Sequence, residues 1–267
     1  MLVIFTDLDG TLLDENYSFE DAREVVEELK KRKIPLIFCS AKTKVEQEYF
    51  LKLMKIAHPF IVEDGSAIFV PRGYFKRVFG KVKGEYEVRI LGVKRGEIIE
   101  EIQKIEERGL KIKGFFNMSD VEVARLTGLN KEMAKKAMER GFSEIVVEAD
   151  EEAIEMLKKR FNVTLGGRFL HIYGKGADKG KAVKILVEFF KEEHKGVKTI
   201  GIGNSYTDEP MLKNVDLPIL VRNQNGWAEI KVEGLKLVDE IGPRGFAKAI
   251  NDFILKSEKL KKEKREN

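Results

Sequence analysis

A chain of 267 residues, 43% of them apolar, is long enough for a main domain with a smaller insert and too apolar to be a disordered chain. Lysine and arginine number 49 against 45 aspartates and glutamates, so a net charge of +4 leaves no field of the kind a nucleic-acid binder carries. A single cysteine, Cys39, excludes an internal disulfide, and no apolar run approaches the roughly 20 residues of a membrane helix.

In chain order, Leu2–Thr6 reads as a short buried strand that runs into carboxylates. Residues 19–32 place Ala22, Val25, Val26 and Leu29 on one helical face, with Ser18 available as N-cap. Leu36–Cys39 is a second strand, in which Cys39 is expected to be a small buried thiol. A helix is predicted over 44–55, a strand at Phe60–Val62, and a hairpin of Ala67–Val70 turning at Pro71-Arg72-Gly73. The middle third predicts strands at Tyr86–Val93, Lys111–Phe116, Glu144–Glu148, Val163–Leu165 and Phe169–Tyr173. Helices fall between them over about 95–108, from a capping box of Ser119 and Glu122, over about 131–140, and over 151–160. The last third predicts a helix over about 178–194, a strand at Thr199–Ile202, a helix near 207–214, strands at Leu217–Val221 and Leu235–Val238, and a helix from about 244. The Lys/Glu-rich tail after Leu255 is expected to fray or to extend as solvated helix. The fold class is therefore α/β: a Rossmann-like parallel-sheet core of residues 1–83 and 174–267, interrupted by an α+β insert of residues 84–173.

The chemistry gathers at predicted strand ends. Asp7-Leu8-Asp9-Gly10-Thr11-Leu12-Leu13 directly follows the first strand, where open α/β sheets place their ligands. Two carboxylates so close repel unless a hard cation lies between them, and Mg²⁺ suits a site that also holds phosphate. Ser40 follows the second strand, where its hydroxyl either donates to a phosphate oxygen or caps the next helix. Lys179 opens a helix, a place where a cation is unfavourable unless an anion joins it; one surface lysine among many is the other reading. Gly201-Ile202-Gly203-Asn204 and Asp208 follow the strand Thr199–Ile202. His58, His171 and His194 show no ligand spacing, so no zinc site is read.

The seven residues from Asp7 resemble the first motif of haloacid-dehalogenase-like phosphatases. That resemblance implies Asp7 as nucleophile, Asp9 as general acid and base, Ser40 and Lys179 as phosphate-binding catalytic residues, and Mg²⁺ held by Asp7, Asp9, Asn204 and Asp208. Asn204 departs from the pattern, because the family usually has Asp there; an amide oxygen still binds a hard cation but without charge. The segments Ser40-Ala41-Lys42-Thr43, Asp64-Gly65-Ser66-Ala67-Ile68-Phe69 and Gly166-Gly167-Arg168-Phe169 resemble the mannosyl-3-phosphoglycerate phosphatases within that superfamily. They imply a type II cap over residues 84–173, a small phosphorylated sugar-acid substrate, and Lys42, Thr43, Gly65, Ser66, Arg168 and Phe169 as residues that bind it. Arg168 reads either as a bidentate clamp for a carboxylate or as a surface ion pair. The alternatives in function are a phosphatase of another sugar phosphate and a silent binding protein. A charged fraction of 35%, rich in lysine and glutamate, fits the ion-pair networks of thermophile proteins as well as an ordinary solvated surface. The one cysteine and the absence of a basic lead-in before Asp7 predict a cytoplasmic protein with no membrane or nucleic-acid partner.

Overall fold

The computed structural model describes residues 1–255, so the tail after Leu255 lies outside the described residues. The chain divides into two compact units, one of Met1–Ser40 with the chain from Val183 onward, the other of Ala41–Ala182. The first unit opens with β1 (Leu2–Thr6), whose Val3, Ile4 and Phe5 are wholly buried, as a strand covered on both faces requires. The helix predicted over 19–32 comes in two pieces, a 3-10 turn at Glu20–Ala22 and α1 (Arg23–Lys31). Ser18 Oγ accepts from Glu20 N at 3.2 Å, but the N-cap of the 3-10 turn is Phe19, and neither the turn nor α1 has a side-chain cap, so Ser18 is not the N-cap expected. Ala22, Val25, Val26 and Leu29 form the buried face, as their spacing predicts. β2 (Leu36–Cys39) is buried throughout, including the free thiol of Cys39, and runs parallel to β1.

The second unit begins with α2 (Lys44–Met54), β3 (Phe60–Val62), β4 (Ala67–Pro71), β5 (Lys81–Lys83) and β6 (Tyr86–Ile90). The strands pair antiparallel in the order β3-β4-β6-β5. The hairpin expected to turn at 71–73 is thus replaced by two others, β3 to β4 through residues 63–66 and β5 to β6 through Gly84. The strand predicted over Tyr86–Val93 stops at Ile90 and pairs with β4, so it does not join the sheet of the insert. That second sheet, built from residues 112–174, comprises β7 (Ile112–Gly114), β8 (Ser143–Ala149), β9 (Phe161–Gly166) and β10 (Phe169–Gly174) in the antiparallel order β7-β8-β10-β9. The predicted strand at Lys111–Phe116 is cut short by Asn117, whose Oδ1 accepts from Gly114 N and whose Nδ2 donates to Ile112 O, bending Phe115–Asn117 into a 3-10 turn. The helices α3 (Arg95–Glu106), α4 (Asp120–Thr127), α5 (Lys131–Met138) and α6 (Glu151–Arg160) accompany this sheet. Ile98, Ile102 and Ile105 of α3, with Ala153 and Leu157 of α6, close over Ile112, Val146, Phe161 and Ile172. Each of these buried isoleucines contributes about 1.5–3 kcal/mol relative to exposure. The Ser119–Glu122 capping box at the start of α4 is reciprocal, as expected.

α7 (Lys179–Glu193) carries the chain back to the first unit, followed by β11 (Lys198–Gly203), α8 (Glu209–Leu212), β12 (Leu217–Arg222), β13 (Lys236–Ile241) and α9 (Gly242–Ile250). The helix predicted near 207–214 shrinks to a 3-10 turn, Tyr206–Asp208, and the single turn of α8, which Pro210 opens from its first positions. The first unit's sheet runs β13-β12-β11-β1-β2, all parallel, with Leu2 opposite Lys198 and Thr6 opposite Ile202. Among the described residues no helix is long and apolar enough to cross a membrane. The fold is α/β, a parallel-sheet core with a separate antiparallel-sheet cap.

Candidate active site

In the first unit, β11, β1 and β2 lie side by side and parallel, so their carboxyl ends open on one edge of the sheet. Asn204 and Asp208 follow β11, Asp7 and Asp9 follow β1, and Ser40 follows β2. Loops at such an edge are where open α/β sheets bind their ligands. Asp7 is buried, and its N–H donates to Ile202 O at 3.0 Å, extending the β1–β11 ladder one residue past the strand. Asp9 is exposed. Between and beyond them the chain doubles back, with Leu13 N donating to Leu8 O at 2.8 Å and Gly10 N to Leu13 O at 2.9 Å. Gly10 sits at φ 70°, and a Cβ there would stand 2.3 Å from Asn204 Nδ2. Only glycine allows that approach, so the first motif and the loop after β11 are in contact through it.

Asn204 is held by Asn223 on both sides. Its Nδ2 donates to Asn223 Oδ1 at 2.8 Å, and Asn223 Nδ2 donates to Asn204 O. The donor end of the Asn204 amide is thereby engaged, and its oxygen is the end available to a cation. Asp208 is fully buried, and its Oδ2 accepts from Asn204 N, Ser205 N and Ser205 Oγ at 3.0–3.2 Å. One oxygen of the expected metal ligand therefore braces the loop. Among the described residues no three His, Cys, Asp or Glu side chains group as a metal cage on their own. Mg²⁺ does not need one: it keeps several waters and commonly takes one or two carboxylates besides phosphate oxygens. Asp7, Asp9, Asp208 and the Asn204 amide make a set of hard oxygen donors, and such a set fits Mg²⁺.

The second unit holds the remaining predicted residues. Lys42 is buried, with Nζ 3.4 Å from Glu46 Oε1. Thr43 is the N-cap of α2 in a reciprocal capping box with Glu46, and its hydroxyl donates to Lys136 O of α5 at 2.9 Å. Ser66 is wholly buried, and its carbonyl accepts from Leu91 N and Gly92 N. Arg168 is exposed at the β9–β10 turn, donating to Thr127 O at 3.0 Å and lying over the ring of Phe169. Lys179 is buried at the first position of α7.

Around Lys179 the sequence reading missed several polar residues. Asp178 Oδ1 accepts from Lys181 N at 2.7 Å, bracing the first turn of α7. Asp64 lies in the turn between β3 and β4 and accepts from His171 Nδ1 at 2.8 Å. Burial pushes the Asp64 carboxyl up, but His171 beside it, with Lys179 and Arg140, outweighs this and holds it below the ordinary aspartate value. Glu63 next to it accepts from Gly141 N, Phe142 N and Ser143 Oγ. The available signals were the family-like segment that starts at Asp64 and the two acids and a glycine between apolar runs at Glu63-Asp64-Gly65; the histidine that partners Asp64 is 107 residues away and carries no mark of it.

Residues 4–231 match the family described as haloacid dehalogenase-like hydrolase. The chain is 42% identical over 261 residues to a glucosyl-3-phosphoglycerate/mannosyl-3-phosphoglycerate phosphatase of Persephonella marina, covering 93% of this chain and 96% of that one. It is 40% identical over 273 residues to a protein of the same description from Methanococcoides burtonii, covering 97% and 99%. A mannosyl-3-phosphoglycerate phosphatase of Pyrococcus horikoshii is 41% identical over 223 residues, 82% of this chain and 90% of that one. Among solved structures, a Thermotoga maritima protein superposes with a TM-score of 0.66 at 20% identity, over 92% of this chain and 94% of that one. A sugar phosphatase of HAD subclass IIB superposes with a TM-score of 0.64 at 17% identity, over 95% and 99%.

Proposed function

The chain belongs to the haloacid dehalogenase-like hydrolase family, and we propose that it hydrolyses mannosyl-3-phosphoglycerate to mannosylglycerate and phosphate with Mg²⁺. As a phosphoric monoester hydrolase it needs a nucleophile, an acid for the leaving oxygen, and cations for the phosphoryl group. The observation that carries the reading is the convergence of Asp7, Asp9, Ser40, Asn204 and Asp208 on the carboxyl edge of three adjacent parallel strands. Relatives of 40–42% identity described as acting on glucosyl- or mannosyl-3-phosphoglycerate favour that substrate class.

In this reading an Asp7 carboxylate oxygen attacks phosphorus and the phosphorus–oxygen ester bond breaks. Asp9 gives its proton to the departing sugar-acid oxygen. Asp9 then takes a proton from water as that water attacks the aspartyl phosphate, releasing phosphate and restoring Asp7. The buried position of Asp7 keeps it poorly hydrated, and the exposed position of Asp9 lets it exchange its proton with solvent. Mg²⁺, held by Asp7, Asp9, Asp208 and the Asn204 amide oxygen, would offset charge on the phosphoryl oxygens. Ser40 donates to a phosphate oxygen and Lys179 supplies a cation to it. Residues 84–173 serve as the cap that selects substrate, through Arg168 and Phe169 with Lys42, Thr43, Gly65 and Ser66. The single buried thiol of Cys39 is in keeping with the cytoplasm as the place of action.

Phosphate release should be measured from mannosyl-3-phosphoglycerate, glucosyl-3-phosphoglycerate and a small aryl phosphate, with and without Mg²⁺. The expected result is Mg²⁺-dependent release with the glycosyl phosphoglycerates preferred, and none from a folded Asp7→Asn variant. Turnover that survives Asp7→Asn would end the covalent mechanism, and preference for the aryl ester would end the substrate assignment.

A further inference from the structure

Asn204 and Asn223 follow adjacent parallel strands, β11 and β12, at the carboxyl edge of the first unit's sheet, and each holds the other. Asn223 Nδ2 donates to Asn204 O, and Asn204 Nδ2 donates to Asn223 Oδ1 at 2.8 Å. The polarity of this pair is forced from one end. A backbone carbonyl can only accept, so the end of the Asn223 amide that faces Asn204 O must be its NH2 group. The Asn223 oxygen is then the end that meets the Asn204 side chain, and that side chain must answer with Nδ2. The two ends of an amide branch from one carbon, so Asn204 Oδ1 is turned away from Asn223 and takes no part in either bond. Gly10 closes on the same side, since a Cβ there would stand 2.3 Å from Asn204 Nδ2 and 3.9 Å from Asn223 Oδ1. The backbone beneath both residues is held too. Asn204 N donates to Asp208 Oδ2 at 3.0 Å, and Asn223 exchanges two backbone bonds with Gly226, at 2.8 and 3.1 Å.

We propose that Asn223 is a positioning residue that sets the oxygen of the Asn204 amide, rather than its nitrogen, toward Mg²⁺. An aspartate at position 204 would need no such partner, because its two oxygens are alike and either binds a hard cation. An asparagine does need one: turned over, it presents an NH2 group, which only donates and repels a cation. Asn223 removes that orientation from a turn that is itself fixed. Partners that orient a metal ligand in this way set its affinity without touching the metal. The inference rests on the phosphatase reading, in which Asn204 is a Mg²⁺ ligand.

The test uses the full chain and reads Mg²⁺ affinity by calorimetric titration in the absence of substrate. The proteins are the wild type, Asn204→Ala and Asn204→Asp, each with and without Asn223→Ala. Removing a partner that orients a metal ligand costs roughly 10- to 100-fold in affinity, and Asn223→Ala alone is expected to weaken Mg²⁺ by about tenfold. Asn204→Ala has no amide to orient and Asn204→Asp has two like oxygens, so adding Asn223→Ala to either should weaken Mg²⁺ by less than about twofold. Turnover of mannosyl-3-phosphoglycerate by Asn223→Ala should need about tenfold more Mg²⁺, with kcat recovered once Mg²⁺ saturates and KM for the ester little changed. An unaltered Mg²⁺ affinity in Asn223→Ala overturns the proposal. So does a loss of equal size in all three backgrounds, which would make Asn223 a prop of the loop, and so does an unaltered affinity in Asn204→Ala. If Asn223→Ala does not fold, Asn223→Ser, whose shorter side chain cannot make both bonds, must show the same loss confined to chains that keep Asn204; normal Mg²⁺ affinity in it overturns the proposal. A wild-type chain that binds Mg²⁺ but turns over neither this ester nor a small aryl phosphate would refute the phosphatase reading, while the Mg²⁺ titrations would still decide the role of Asn223.

Discussion

Asp208 of the first unit and the adjacent Glu63 and Asp64 of the second, all three buried, are held in opposite ways. In the first, the Asp208 carboxylate accepts from Asn204 and Ser205, within four residues of it. In the second, Glu63 is satisfied by residues 78 to 80 positions away and Asp64 by one 107 positions away. A loop that braces itself keeps its shape when a chemical group in it is changed. An acid held by distant partners is part of what closes the fold, and removing it strands buried donors on both sides. Substitutions in the first unit should therefore separate activity from stability, and those at Glu63 and Asp64 should join them.

The hardest test of that contrast is Glu63→Gln. Glu63 accepts from Gly141 N at 2.9 Å, Phe142 N at 3.0 Å and Ser143 Oγ at 2.5 Å, with Arg140 Nε 3.8 Å away. Arg140 Nε also donates to Ser143 Oγ and its NH2 to Ala41 O, so the group is a connected network. An amide in place of the carboxylate turns one acceptor into a donor facing N–H groups and leaves Arg140 uncompensated. Breaking a buried pair in this way costs about 3–5 kcal/mol. Denaturant unfolding should show a loss of that size, whereas Asp7→Asn should unfold close to wild type; a Glu63→Gln chain of wild-type stability would contradict the contrast.

His58 offers a second test in the same unit. Burial lowers its pKa from 6.5 to about 4, and its Nδ1 meets Tyr74 Oη at 2.9 Å. The folded state then keeps the ring neutral down to about pH 4, while the unfolded chain takes up a proton near 6.5. Between those values the unfolded state binds more protons, so stability is full above 6.5 and falls as pH drops toward 4. The shift corresponds to about 3 kcal/mol over the window. His58→Gln should flatten the unfolding free energy between pH 7 and 4; an unchanged slope would assign the acid sensitivity to other groups.

What the sequence made legible follows the same division. The strand-end motifs around Asp7, Ser40, Lys179 and Asn204 are each contiguous, and parallel-sheet geometry gives such positions a meaning before any fold is known. The buried runs of β1 and β2 and the i, i+4, i+7 face of α3 are likewise local signals. The pairing of β6 with β4 was not legible, because alternation along Tyr86–Ile90 states that it is a strand but not which sheet it joins. Nor was Asp64–His171, since a lone histidine in an alternating strand looks the same whether it faces a carboxylate or solvent. The two-piece start of α1 was hidden for a smaller reason: a serine ahead of an apolar helical face looks like an N-cap whether or not a 3-10 turn comes first.

Arg168 tests the second unit away from its buried network. Its guanidinium is exposed, held by one bond to Thr127 O and by the Phe169 ring. Removing it should therefore leave stability nearly untouched. If it clamps the glycerate carboxylate, Arg168→Ala should lower kcat/KM on mannosyl-3-phosphoglycerate by roughly 30- to 150-fold, or about 2–3 kcal/mol. A small aryl phosphate, with no carboxylate to hold, should lose far less. Equal losses on both substrates would assign Arg168 to phosphate or to folding.

The smallest expected effect belongs to Asn204→Asp, and it sharpens the claim that first-unit loops brace themselves. The substitution restores the acid that the family pattern usually has, which alone would leave activity unchanged or raise it by adding a negative charge for Mg²⁺. The structure adds an opposing term. Asn204 Nδ2 donates to Asn223 Oδ1, and a carboxylate there would set oxygen against oxygen. Asn223 cannot simply turn over, because its own Nδ2 is bonded to Asn204 O. One neutral hydrogen bond lost in this way is worth about 1 kcal/mol. Without Mg²⁺ the Asn204→Asp chain should unfold about 1 kcal/mol more easily, and with Mg²⁺ part of that loss should return as the cation binds the new charge. Titrating Mg²⁺ against both stability and turnover separates the two effects. A variant as stable as wild type without Mg²⁺ would mean the Asn223 contact carries little, and a higher Mg²⁺ requirement would mean that position 204 does not face the cation.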